Sequence, residues 1–132
     1  MPDPAAAASA IICHGDKVLF VRSTRTREWW AFPGGKSEAG ESQDRTAMRE
    51  AMEEVGLDIE ITGYVGTYAA GHGADRFEIA CFAATAASSH LKVDADEILE
   101  ARWCTLSEGL DLNLVSTARE ALARFSGLPC GA

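Results

Sequence analysis

Three glutamates, Glu50, Glu53 and Glu54, stand three and four residues apart. On an α-helix this spacing places them on one face. Like charges at such spacings destabilise a helix by roughly a few tenths of a kcal/mol per pair, so helix stability gives no reason for the arrangement. Binding of a hard divalent cation would explain the arrangement, because Mg²⁺ prefers carboxylate oxygens and bridges to phosphate groups. The pattern indicates a metal site for phosphate chemistry; a solvated acidic helix face is the alternative.

The segment Pro33-Gly34-Gly35 precedes these glutamates. Its glycines allow the backbone to approach a ligand closely, and a backbone carbonyl there could give a metal a neutral oxygen. Arg49 is expected to point away from the three glutamates, since successive helical residues differ by about 100°. It can instead reach back to Glu41 and tie the preceding loop to the helix by a charge-assisted hydrogen bond.

A helix over residues 45–55 must carry the glutamates. Ser42 can act as its N-cap, and Gly56 stands where a C-cap glycine belongs. An apolar stripe at helical spacing should pack it against the core: Ala47, Met48, Ala51, Met52 and Val55.

Strands are predicted on both sides of this helix. Gly15-Asp16 predicts a hairpin turn between strands at 8–14 and 17–22. Residues 36–41 and 71–73 are predicted to be loops. Further strands are predicted at 57–61, 64–68 (continuing the previous one past Gly63), 76–85 and 100–105, followed by helices at 106–110 and 113–125. This order favours an α/β or α+β fold, with a mixed β-sheet between helices in a single domain over residues 1–132.

The region from Gly35 to Leu57 resembles the Nudix signature G-x5-E-x7-R-E-U-x-E-E-x-G-U, in which U is a bulky aliphatic residue. Only Ala51 departs from it, being smaller than usual, which affects packing beneath the helix rather than the metal ligands. The strand ending in Arg22 and the segment from Glu97 to Trp103 also resemble the family. The matching residues are Gly35, Glu41, Arg49, Glu50, Glu53, Glu54, Gly56 and Leu57.

The resemblance implies an αβα sandwich that hydrolyses a nucleoside diphosphate linked to another group, with Mg²⁺ or Mn²⁺ as cofactor. It implies that Glu50 and Glu54 bind metal directly, that Glu53 binds directly or through water, and that Glu50 or Glu53 activates the attacking water. The Gly34 carbonyl and Glu97 are further candidate ligands, with a charged loop residue as the alternative for Glu97. Glu41 would orient Arg49 or join the metal network.

Arg22, Lys36 and Gly35 are the candidates for binding substrate phosphates. Arg22 ends a strand that faces the motif loop, and Lys36 lies within that loop. Arg25 and Arg27 are better explained as ordinary surface charge. One residue of the Trp29-Trp30 pair should be buried, because adjacent strand residues face opposite ways; the other could stack on a base. Trp103 is predicted to be a core anchor, and His72 a mobile surface residue.

The net charge of −8 argues against a basic surface for duplex nucleic acid. No stretch approaches the length of a membrane span, and the N-terminus has no basic segment typical of a signal peptide. The cysteines show no zinc-ligand spacing: Cys13, Cys81 and Cys104 are interpreted as core or strand residues and Cys130 as a tail residue. A cytoplasmic protein, monomeric or homodimeric, is expected.

The substrate is a small nucleotide, and the compact chain with Pro33-Gly34-Gly35-Lys36 favours a mutator-type nucleoside triphosphate pyrophosphohydrolase. The alternative is a regulatory module that binds nucleotides on the same fold without hydrolysis. Loss of the glutamates would mark such a module, and all of them are present. A calcium-binding loop is excluded on spacing, because no D-x-D-x-D-G segment occurs.

Overall fold

The computed structural model describes residues 5–126. The strands and helices in chain order are β1 (Ala5–His14), β2 (Lys17–Ser23), β3 (Gly34–Lys36), α1 (Gln43–Val55), β4 (Ile59–Ala70), β5 (Phe77–Ala86), β6 (Ile98–Cys104), α2 (Leu106–Leu110) and α3 (Ser116–Phe125). A short 3₁₀ turn, Gly73–Asp75, lies between β4 and β5.

The strands form one mixed sheet in the order β4-β5-β1-β2-β6, and β3 pairs with β1. β1 and β5 run parallel, whereas the other pairs are antiparallel. The turn at Gly15-Asp16 joins β1 and β2, as predicted, but only the ends of the two strands pair with each other. The first half of β1 pairs with β3 instead, and this places the glycine segment beside the middle of the sheet.

Alternation along the strands fills a separate core on each face of the sheet. Ile11 and Phe20 face α3 and pack with its Leu122 and Phe125. Their neighbours Ile12 and Leu19 face the opposite way, towards α1. The mixed sheet between helices is therefore confirmed, and each helix is fixed by burial of its apolar stripe.

The glutamate helix follows its prediction with two differences. It begins at Gln43, and Ser42 occupies the N-cap position without a side-chain capping hydrogen bond. Gly56 adopts the left-handed conformation with φ of 71°, as a C-cap glycine does. Met52 was predicted to join the buried stripe, but it is 50% exposed.

The boundaries of β3 and of the last helix also differ from prediction, whereas β4 agrees with it. β3 falls partly in a segment expected to be a loop, because its two glycines have no intrinsic preference for a strand. β4 continues past Gly63 as one strand, as expected, and its pairing with β5 shifts register twice, between Ile61 and Gly63 and between Tyr64 and Gly66. The last helix begins at Ser116 rather than residue 113, because the residues before it pair with the segment around Trp30.

Cys81 and Cys104 are buried free thiols, in agreement with the sequence interpretation, and Cys13 is a buried residue of β1. Cys130 lies outside the described residues. Within residues 5–126, no helix is long and apolar enough to cross a membrane.

Candidate active site and metal centre

Glu54 is a carboxylate buried at the junction of α1 and the glycine segment. Only 3% of the residue is exposed, and its Oε1 accepts a hydrogen bond from Gly34 N at 3.0 Å. Burial raises the pKa of Glu54 to about 8, and the negative charges of Glu50 and Glu97 act in the same direction. A buried carboxylate with this pKa favours either a proton or a cation beside it.

Glu50 lies against Gly35. A Cβ atom at Gly35 would be 2.6 Å from Glu50 Cδ, so no larger residue fits without displacing the carboxylate. The Glu50 side chain is only 13% exposed, and burial raises its pKa. The absence of a side chain at Gly35 is therefore what allows Glu50 to sit beside the backbone.

Arg49 lies among the carboxylates. Its Nε and Nη2 bond both oxygens of Glu41 at 2.7 and 2.9 Å, as predicted. Its Nη1 also donates to Glu50 Oε1 at 2.9 Å and to Glu53 Oε2 at 3.1 Å. The expectation that Arg49 points away from the glutamates is therefore wrong, because its long side chain bends back over the helix. Its Nη2 also donates to the Lys36 carbonyl, which holds the end of β3 against α1.

Glu41 is fixed from two sides. The paired guanidinium of Arg49 lowers the pKa of Glu41 to about 2, and hydrogen bonds from Glu38 N and Thr46 add to the effect. Thr46 is fully buried, and its hydroxyl lies 2.7 Å from both Glu41 Oε1 and Ser37 Oγ. Sequence reasoning missed Thr46; the signal was a hydroxyl residue beside Ala47 at the start of the helix.

Glu53 and Glu97 are the more exposed candidates. The Glu53 side chain is 55% exposed and contacts Arg49. Glu97 lies just before β6, and its carbonyl accepts a hydrogen bond from Thr24 N at 2.9 Å. Glu97 is close enough for its charge to raise the pKa of both Glu50 and Glu54. Within the described part of the chain, no group of three or more His, Cys, Asp and Glu residues converges with the geometry of a metal site.

A cleft of about 810 Å³ opens beside Glu54, and residues from both faces of the sheet line it: Phe32 and Val115 from the α3 side, Val21 and Ile98 from the α1 side. Its floor contains Ala7, Ile79 and Phe32, and the N-terminal residues of α3 form part of one wall. Gly34, Gly35 and Lys36 line it beside Glu54. Further lining residues are Arg25, His72, Asp75 and Arg76.

The structure places Arg22 away from the lining of this cleft. Its guanidinium bonds Glu100 Oε1 at 3.0 and 3.2 Å and the Arg27 carbonyl at 2.9 Å. It also lies 5.5 Å from the ring centroid of Trp30. Arg25, which the sequence interpretation assigned to ordinary surface charge, lines the cleft instead.

The tryptophans divide as expected. Trp30 is buried with 6% exposed, and Trp29 is 45% exposed. The Trp30 backbone N donates a hydrogen bond to the Asn113 carbonyl, and the Trp30 carbonyl accepts one from Val115 N. These bonds join the segment before Pro33-Gly34-Gly35 to the start of α3. Trp103 is half-buried rather than a fully buried anchor, and its Nε1 donates to the Ser89 carbonyl. His72 is exposed at the edge of the cleft.

The sequence profile of the NUDIX domain matches residues 3–125. An uncharacterized Nudix hydrolase of Bacillus subtilis, YvcI, is 50% identical over 44 residues, or 33% of this chain and 27% of that protein. An 8-oxo-dGTP diphosphatase of Proteus vulgaris is 32% identical over 56 residues, which cover 39% of this chain and 50% of that protein. The matched segments thus span half or less of these two relatives.

Solved structures show the same fold. A MutT NUDIX hydrolase from Burkholderia pseudomallei superimposes with a TM-score of 0.82 at 24% identity, over 93% of this chain and 98% of that one. The E. coli ORF135 protein has a TM-score of 0.75 at 25% identity, over 94% of this chain and 89% of that one. The profile match over residues 3–125 shows that the chain belongs to the Nudix family, and the solved structures agree with it in fold.

Proposed function

We propose that this protein hydrolyses a phosphoanhydride bond in a nucleoside diphosphate linked to another group, using Mg²⁺ or Mn²⁺. A nucleoside triphosphate is the leading candidate substrate. The observation that carries the proposal is Glu54, a nearly fully buried carboxylate that lines an open cleft beside Gly34 and Glu50. The 8-oxo-dGTP diphosphatase of Proteus vulgaris, a partial relative, supports a nucleotide substrate.

The donor chemistry of the site suits a hard divalent cation, and a full ligand set requires the carboxylates to converge further than they do among the described residues. Glu54 and Glu50 offer carboxylate oxygens in surroundings that disfavour an uncompensated negative charge. We assign metal binding to Glu50, Glu53, Glu54, the Gly34 carbonyl and Glu97. When bound, the metal would neutralise phosphate charge and lower the pKa of the attacking water.

The protein's own groups supply positioning and proton transfer. Glu50 or Glu53 is the proposed base, and each is held by Arg49 Nη1 in this structure. The contact uses Oε1 of Glu50 and Oε2 of Glu53, so the second oxygen of each carboxylate is left to accept a proton from water. Lys36, with Gly35, borders the catalytic end of the cleft and is assigned to the substrate phosphates. Arg25 is the better-placed second cation, whereas Arg22 orients Trp30 through its contacts.

The test is a panel of nucleotides, assayed for release of phosphate or pyrophosphate with Mg²⁺ or Mn²⁺. We expect turnover of at least one compound, with the nucleoside triphosphates first. Glu54→Gln should lower the turnover number by roughly two orders of magnitude, because a metal ligand is lost. Glu60→Gln is the matched control, since Glu60 is an exposed residue of β4. Full activity in excess chelator would refute the metal mechanism.

The same panel tests the non-catalytic alternative. Binding of nucleotides without turnover of any of them would identify a regulatory binding module. Intact Glu41, Glu50, Glu53 and Glu54 favour the enzyme. A single Nudix domain over residues 1–132, a cytoplasmic location and a monomeric or homodimeric state remain predictions from the sequence.

A further inference from the structure

A threonine and a serine stand behind the Glu41–Arg49 ion pair. Thr46 lies near the start of α1 and is fully buried, and Ser37 directly follows β3. Both fall at positions that the Nudix signature leaves free, so the family resemblance assigns no role to either of them. A polar group shielded from water is expected to have its partners inside the protein. The partners of these two hydroxyls therefore indicate what the residues do.

The hydrogen bonds of these hydroxyls run in one direction. Thr46 Oγ1 lies 2.7 Å from Glu41 Oε1 and 3.1 Å from the Ser42 carbonyl, two oxygens that only accept. Its single proton goes to the carboxylate, which is closer and charged. Ser37 Oγ, 2.7 Å from Thr46 Oγ1, then donates to it. Donation therefore passes from Ser37 to Thr46 and from Thr46 to Glu41.

Arg49 continues this chain to the helix glutamates. Its Nε and Nη2 donate to the two oxygens of Glu41, and Nη2 also donates to the Lys36 carbonyl. The two Nη1 protons go to Glu50 and Glu53. All five N–H groups of the guanidinium thus have acceptors, and its planar fork has no freedom to turn. A shift of Glu41 would therefore move the donor that holds Glu50 and Glu53.

Resting on the proposed function, we propose that Thr46 is a positioning residue for the metal site and that Ser37 supports it. The Thr46 hydroxyl fixes Glu41, Glu41 fixes Arg49, and the guanidinium sets where the carboxylates of the proposed metal site lie. Thr46 itself is outside the lining of the cleft, so it acts through these neighbours. Removal of its hydroxyl would leave one side of the Glu41 carboxylate against a methyl group, and the guanidinium would then be free to shift.

The first test is Mn²⁺ binding in the absence of nucleotide, measured by titration calorimetry. Thr46→Val keeps the shape of the side chain and removes the hydroxyl. We expect its dissociation constant for Mn²⁺ to rise about tenfold, as when a group that orients metal ligands is lost. Thr46→Ser retains the hydroxyl and its partners, so it should bind Mn²⁺ within about twofold of wild type.

Turnover gives a second readout. The Mn²⁺ concentration for half-maximal activity should rise about tenfold in Thr46→Val, in step with the dissociation constant. The KM of the nucleotide should stay within about twofold, because Thr46 does not line the cleft. A partly unfolded variant would instead lose activity at every Mn²⁺ concentration.

Thr105→Val is the matched control for stability. The Thr105 hydroxyl accepts a hydrogen bond from Glu108 N and caps α2, and Thr105 also lies outside the cleft lining. Both valine variants should melt about 2–6 °C below wild type, because each loses a hydrogen bond at the start of a helix. Only Thr46→Val should bind Mn²⁺ more weakly, which separates positioning from stability.

Ser37→Ala tests the order of the hydrogen bonds. We expect it to weaken Mn²⁺ binding about threefold in the wild-type background, because Thr46 loses the donor that orients its hydroxyl. In the Thr46→Val background the same change should have no effect, since Ser37 acts through that hydroxyl. Ser37 is half-buried, so its truncation also decides the proposal if Thr46→Val does not fold.

Equal Mn²⁺ affinity in wild type and Thr46→Val overturns the proposal, as does a Thr46→Ser variant that is impaired as much as Thr46→Val. If Thr46→Val does not fold, unchanged Mn²⁺ affinity in Ser37→Ala overturns it. Equal effects of Ser37→Ala in the two backgrounds overturn the part assigned to Ser37. If no nucleotide is hydrolysed but Mn²⁺ affinity depends on the Thr46 hydroxyl, the positioning role stands and the proposed function fails.

Discussion

Glu54 combines burial with a negative charge, and these two properties oppose each other. Within residues 5–126, the only hydrogen-bond donor to its carboxylate is Gly34 N. One backbone N–H group does not replace the water that a carboxylate loses on burial. The residue therefore reduces the stability of the metal-free protein at neutral pH, a cost that proteins accept at functional sites.

This cost predicts a pH dependence of stability in chelator. Because the pKa of Glu54 rises from 4.5 to about 8, the folded state binds the proton more tightly than the unfolded state. The stability linked to this proton is complete below pH 4.5 and is lost as pH rises through 8. The shift corresponds to roughly 3–5 kcal/mol.

Urea unfolding at several pH values between 5 and 9 would measure this effect. Glu54→Gln should remove most of the slope in that range and should be more stable than wild type at pH 8.5. Added Mg²⁺ should restore the stability of the wild-type protein at that pH but not that of the variant. A slope that is equal in the two proteins would show that Glu54 ionises normally.

Gly35 supports a second prediction at the residue scale. Gly35→Ala would place a methyl group 2.6 Å from Glu50 Cδ and push the carboxylate away. We expect kcat/KM to fall on the order of 100-fold, because displacement of a reacting group by about 1 Å has an effect of that size. Gly63→Ala is the control, since a Cβ there meets no atom within 4 Å. Equal activity of the two variants would contradict the packing of Glu50 against Gly35.

Residue spacing predicted the Glu41–Arg49 contact but not the full position of Arg49. A helical wheel gives the direction of Cβ, whereas the guanidinium lies several bonds farther and reaches Glu50 and Glu53. The position of the Arg22 guanidinium was likewise not predictable from local spacing. The sequence placed it at a strand end, but its partner Glu100 belongs to β6, and only the pairing of β2 with β6 brings the two together.

At the scale of elements, α1 ends at a glycine with two separate requirements. Gly56 has φ of 71°, and a Cβ there would also lie 2.7 Å from Lys92 Cβ. We expect Gly56→Ala to lose roughly 1–2 kcal/mol of unfolding free energy from the left-handed conformation. The contact with Lys92 should add roughly 1–3 kcal/mol.

Gly15→Ala separates the two contributions. Gly15 has φ of 60° in the β1–β2 turn, but a Cβ there meets no atom within 4 Å. Urea unfolding should therefore show a smaller loss for Gly15→Ala than for Gly56→Ala. Equal losses would mean that the segment containing Lys92 moves aside at no cost.

The long elements were predictable because their apolar periodicity is strong. The helix with Ala47, Ala51 and Val55 and the β1–β2 hairpin follow from local pattern and turn chemistry. β3 was not predictable, since Gly34 and Gly35 become a strand only through pairing with Ser9 and Ala8. Such pairing depends on residues distant in sequence, which a local pattern does not report.

At the scale of the whole molecule, the cleft was beyond sequence analysis. Its lining residues come from six strands, two loops, α1 and the start of α3. Arg25 and Thr117 become neighbours of the same space only when the sheet has formed. The glutamate motif was therefore readable from one contiguous segment, while the rest of the cleft lining required the three-dimensional structure.

The position of β1 has a consequence for how the chain acquires its shape during synthesis. β1 forms two residue pairs with β2 and three with β3, but nine with the parallel strand β5. Because β1 precedes β5 by about 70 residues in the chain, it is synthesised well before its main partner, residues 77–86. Contacts between such distant segments form late and slowly. The alanine-rich first strand must stay unaggregated through that interval, so a chain arrested before β5 would expose the centre of its own sheet.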